Sequence, residues 1–146
     1  MDPRTKARQL AMQALFQLDV QGSSLIPDLD DFFMEYDPEL ELPVRFRLLA
    51  SDWTRGAWAN LPACDELITA AALKWKLSRL SQVDKSILRL SVYHLKFCGD
   101  IPPKVTINEA IELAKKFGTD KSPSFVNGVL DGVLRKMQEV KQGAAK

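Results

Sequence analysis

Hydrophobic positions recur along most of this chain at the three- and four-residue spacing of an amphipathic helix, and no segment alternates over the length of a strand. The densest stretch is Val83 to Phe97. Placed at about 100° per residue, Val83, Ile87, Leu88, Leu90, Tyr93, Leu95 and Phe97 spread around most of the circumference. Lys85, Arg89 and Lys96 fall in one narrow basic stripe. A helix apolar nearly all round needs neighbours on several sides, so it is expected at the centre of a bundle. Ser81 and Asp84 make a capping-box-like start for it.

The other elements follow from the same pattern. A first helix is predicted from Pro3 to Asp19, capped by Asp2, with Ala7, Leu10, Ala11, Ala14, Leu15 and Leu18 as its buried stripe. Phe16 points about 170° away from that stripe, beside Met12 and amid Thr5, Gln9 and Gln13. A short second helix, Asp28 to Tyr36, places Leu29, Phe32, Phe33 and Tyr36 on one face. A third runs from Pro43 to Asn60, and a fourth, after the break at Pro62, to about Trp75. Thr106 and Glu109 form a second capping box, with Pro103 as a competing start one turn earlier, and Gly118 ends this sixth helix. Ser122-Pro123 opens the last, which carries Phe125, Val126, Val129, Leu130, Val133, Leu134 and Met137 inward. Gly128 and Gly132 lie four apart and are expected to let a neighbouring helix approach. The fold expected is all-α, about seven helices.

Composition narrows the function more than the fold. Hydrophobic residues make up 46% and charged residues 27%, values of an ordinary globular protein, and the net charge is +1. No overall field demands nucleic acid, so any basic site has to be local. Only two cysteines occur, with no signal peptide and no apolar run near about twenty residues, so a reduced, cytoplasmic protein is expected with no membrane role. His94 is the sole histidine and falls on the apolar arc of the central helix, which suits a buried core group and leaves metal or triad chemistry without a partner. No glycine-rich phosphate loop and no obvious acid–base carboxylate pair appear. Neither an enzyme nor a cofactor or metal site is expected. Residues 28–41 hold seven acids and no base, read as a solvated acidic face.

Two features need more than packing to explain them. Arg4, Lys6 and Arg8 crowd the first turns of a helix whose dipole is already positive there, a repulsion that a polyanion would relieve. Phe16 with Met12 is the second, an aromatic and a thioether on the face expected to be wet.

The runs VDKSILRLSVYHL (83–95) and IPPKVTINEAIELAKKFGTDKSPSFVNGVLDGVL (101–134) strongly resemble the C-terminal half of the NusB family of bacterial transcription antitermination factors. ARQLAMQALFQLD (7–19) is similar to the family's opening helix. The resemblance is weakest from Gly22 to Ala63. It implies a single domain of two small helical bundles packed together, about 1–76 and 77–140. It implies binding of boxA-type single-stranded RNA, pairing with the ribosomal protein NusE, and support of RNA polymerase on ribosomal RNA operons. The family's arginine-rich RNA site maps to Arg4, Lys6 and Arg8, thinned here by Thr5 and by a lysine. Its NusE surface maps to Phe16, with Met12 beside it, and to Asp84. Phe16 stands where the family usually has a phenol. Two alternatives remain. One is an accessory RNA-binding module like those of some RNA cytosine methyltransferases, although no cofactor-binding sheet follows in these 146 residues. The other is a helical homodimer with no RNA role.

Overall fold

Asp2 opens the first helix as the sequence suggests: its side chain accepts a hydrogen bond from the Arg4 amide at 2.7 Å, and Pro3 sits where no amide partner is needed. The computed structural model describes residues 2–35 and 38–144. Among them are seven α-helices and no strand: α1 Pro3–Gln21, α2 Leu29–Glu35, α3 Val44–Ala59, α4 Leu61–Ala71, α5 Gln82–Phe97, α6 Pro103–Phe117 and α7 Ser122–Ala144. Tyr36, assigned above to the face of the second helix, lies outside the described residues.

The chain forms two compact units, one ending at Ala59 and the other beginning at Asn60. In the first, α1 packs along α3 and touches α2. The predicted stripe of α1 is buried, and so are two residues that the period did not assign to it, Arg8 and Met12. Gly22 stops α1 at φ +76°, a conformation that residues with a Cβ rarely adopt. Arg47 then ties α3 to the chain before it. Its Nε donates to the Leu42 carbonyl at 3.0 Å and its Nη1 to the Phe33 carbonyl at 2.9 Å.

In the second unit α5 is central, packed by α4, α6 and α7. This is why the division falls at Ala59 and not near residue 76: α4 buries Cys64 and Ile68 as part of the C-terminal bundle. Helix α4 also stops at Ala71, short of Trp75, as Ala72 turns to φ −98°, ψ 59°. Leu73 and Trp75 beyond it are 87% and 57% exposed. Leu73, the more exposed of the two, adds little packing energy to extend a helix that propensity alone sustains poorly.

Arg89 of the basic stripe is buried and clasps Asp65 of α4, Nε to Oδ1 and Nη2 to Oδ2, both at 2.9 Å. Two further expectations change. Thr106 does not cap α6, because Pro103 opens that helix a turn earlier and leaves Thr106 buried inside it. Gly128 allows no close helix approach: a Cβ there would meet nothing within 4 Å, whereas one at Gly132 would stand 3.2 Å from the Ala71 Cβ. Only the second glycine is a packing glycine. Gly128→Ala should therefore stabilise the chain by about 0.5–1 kcal/mol through helix propensity. Urea unfolding should show that gain for Gly128→Ala and a smaller gain or a loss for Gly132→Ala.

Among the described residues no helix is long and apolar enough to cross a membrane. His94 is buried, as the sequence suggests, with its ring 6.0 Å from that of Tyr93. Cys64 is buried too, and burial pushes its thiol up to about 11, with Asp65 adding to the shift.

Candidate nucleic-acid interface

Helices α1 and α3 begin close together, and each places an arginine at its second residue. The Arg4 Cζ lies 5.8 Å from the centroid of the Phe46 ring, and the Arg45 Cζ lies 4.9 Å from the same ring. Phe46 is itself buried, held by the apolar face of α3, so the ring is a fixed base for two exposed guanidinium groups. The first turns of both helices also supply positive dipole ends. Two planar, always-charged donors on such a platform suit phosphate oxygens.

The remaining basic groups predicted here are engaged by the fold. Lys6 is half-buried, and its Nζ donates to the Leu40 carbonyl at 3.1 Å. Arg8 is 5% exposed, with its Cζ 5.4 Å from the Trp53 ring centroid. Arg8 thus acts in this chain as packing between α1 and α3, its long stem and flat head covering an indole. The structure brings Arg4 to the surface beside Arg45, and it does not bring the trio of Arg4, Lys6 and Arg8 to the surface together. Arg45 and Phe46 were missed in the sequence. The alternation Arg45-Phe46-Arg47 at a helix start was the available signal.

The expected protein-binding residues divide in a similar way. Met12 is 2% exposed and belongs to the core, which corrects its grouping with Phe16 on a wet face. Phe16 is half-buried, flanked on α1 by the equally half-buried Gln13 and Gln17. Asp84 sits in the first turn of α5, where the Ser81 Oγ accepts from its amide at 3.1 Å. Its Oδ1 is buried with no hydrogen-bond partner. That carboxylate borders a cavity of about 180 Å³ that also takes in Arg79, Lys121 and the edge-to-face pair Trp75–Phe125. Among the described residues no group of three or more histidine, cysteine or acidic side chains is placed to hold a metal ion.

Comparison with known proteins agrees with this arrangement of helices. The model of the NusB family matches residues 5–135. Transcription antitermination protein NusB of Syntrophus aciditrophicus (strain SB) is 40% identical over 139 residues, covering 95% of this chain and 84% of that protein. The solved structure of T. maritima NusB superposes with a TM-score of 0.80 at 39% identity, over 92% of each chain. A crystal structure of the antitermination factors NusB and NusE in complex with dsRNA contains a chain of the same fold, with a TM-score of 0.79 at 24% identity over 93% of this chain and 98% of that one.

Proposed function

Since this chain belongs to the NusB family, we propose that it is an RNA-binding transcription antitermination factor that takes boxA-type RNA together with NusE and supports ribosomal RNA transcription. The observation that carries this reading is the pair of exposed arginines, Arg4 and Arg45, converging on Phe46 at the starts of α1 and α3. Guanidinium groups there meet the phosphates of a single strand, while Lys6 stays engaged with the Leu40 carbonyl. The role is one of binding and assembly on the elongating polymerase in the cytoplasm, with no catalytic step. Phe16 and Asp84 serve the NusE contact, Phe16 as an aromatic anchor and Asp84 as the acidic group in the first turn of α5.

A fluorescence titration tests both halves. Labelled boxA-type single strand, a scrambled strand and a duplex are titrated with the chain, with and without NusE. Arg4→Ala combined with Arg45→Ala should weaken RNA binding about ten-fold or more while leaving the melting temperature nearly unchanged, because both side chains are exposed. Phe16→Ala should remove the gain from NusE and spare RNA binding by the chain alone. Unaltered RNA affinity in the double arginine variant would remove the helix starts as the RNA site. A preference for duplex over single strand would overturn the choice of RNA form.

A further inference from the structure

The apolar stripe of α7 continues past the point where the bundle covers it. Val126, Leu130 and Val133 are buried, Met137 on the same stripe is half-buried, and Val140 one turn farther is 73% exposed. Helix α4 runs in the opposite direction beside it, with Ala71 against Gly132 and Leu67 and Ala70 farther along. Together Leu67, Ala70, Met137 and Val140 floor an open groove of about 420 Å³. Its rim is basic. Lys96 of α5 and Lys136 and Lys141 of α7 line it, all exposed, against a single acid, Glu66.

We propose that this groove is a docking surface for an acidic amphipathic helix of a partner protein. A helix laid along it would place apolar residues at its own three- and four-residue spacing on the floor. Its carboxylates would then reach the three lysines on the rim. The floor supplies the burial and the rim supplies the sign of the partner. A nucleic acid fits the groove less well, because no aromatic ring lines it for a base to stack on, and Glu66 repels phosphate. The surface lies on α4, α5 and α7, so it shares no residue with the arginine pair of α1 and α3.

The full-length, isotope-labelled chain can be titrated with a synthetic helical peptide of about 18 residues carrying leucines on one face and glutamates on the other. Two controls accompany it, the same peptide with lysines for glutamates and a sequence-scrambled peptide of equal charge. The acidic peptide should move the amide signals of Leu67, Ala70, Met137 and Val140. Lys136→Glu with Lys141→Glu, and separately Val140→Asp, should each weaken it about ten-fold or more, with melting temperature unchanged. The proposal is overturned if the lysine or scrambled peptide binds as well. Signals that move elsewhere, or fail to move at millimolar peptide, also overturn it. So does a lysine variant that keeps peptide affinity and loses affinity for a single-stranded RNA.

Discussion

Arg89→Met should destabilise the chain by about 2–3 kcal/mol, lowering the melting temperature by roughly 5–10 °C for a domain of this size. Arg89 reaches both oxygens of Asp65 at 2.9 Å in a bidentate pair joining α5 to α4, with the two side chains 10% and 24% exposed. Methionine fills much of the same volume, so the loss is chiefly electrostatic: Asp65 keeps its charge in a place with little water and no guanidinium. Its residual exposure lets some water reach it, which is why the cost stands below the about 3–5 kcal/mol of a fully buried pair broken on one side. Changing both partners, Arg89→Met with Asp65→Leu, should recover much of the loss, since no orphaned charge remains. Urea unfolding of the two single variants and the double variant measures this. A single variant within about 0.5 kcal/mol of the parent would show that the pair only decorates the bundle.

The second large effect is expected at Gly118, between α6 and α7. A Cβ built there would stand 2.5 Å from the Cβ and Oγ of Ser122 and 2.8 Å from the Ala114 carbonyl oxygen. The backbone is at φ −93°, an ordinary value, so the requirement for glycine is one of space and not of conformation. The crowded Ser122 Oγ accepts from the Thr119 amide at 3.0 Å, a bond that fixes the turn into α7. Gly118→Ala should therefore cost about 2–4 kcal/mol, an overpacking strain of about 1–3 plus about 1 for the displaced hydrogen bond. Adding Ser122→Gly removes both Ser122 atoms in the clash and should restore part of the stability lost to Gly118→Ala. If Gly118→Ala melts with the parent, the turn relaxes freely and is no determinant of the fold.

Local signals carried most of the helical architecture. Asp2, Pro3, Ser81 and Gly118 each mark a helix end through chemistry confined to a few neighbouring residues, and each helix end lies where that chemistry puts it. Errors arose where a distant part of the chain decides. Arg8 and Met12 look wet by period, but α1 is covered on more than one side, and Trp53, forty-five residues away, receives the Arg8 guanidinium. Gly128 and Gly132 are indistinguishable in the sequence, and only the position of Ala71 separates them. At Thr106 two local signals competed. Proline won because its fixed φ and missing amide suit a first helical turn without any side-chain cap. The candidate site was half legible: Arg4 stood out as part of a cluster, whereas the alternation Arg45-Phe46-Arg47 gains its meaning only with α3 lying beside α1.

The placement of Arg8 over Trp53 also bears on ionic strength. Binding to a single strand releases counterions in proportion to the phosphates neutralised, and log K falls by about 0.7 per phosphate for each unit of log salt. The cluster Arg4, Lys6 and Arg8 taken at face value would give a slope of about −2.1. With the Arg8 charge turned inward and Lys6 held by a carbonyl, Arg4 and Arg45 together give about −1.4. Raising salt should then loosen the RNA only mildly, and selectivity among RNAs has to come from base contacts and from the second protein. On the proposed site, an arginine folded into the core should make the chain a binder that tolerates salt and leans on its partner.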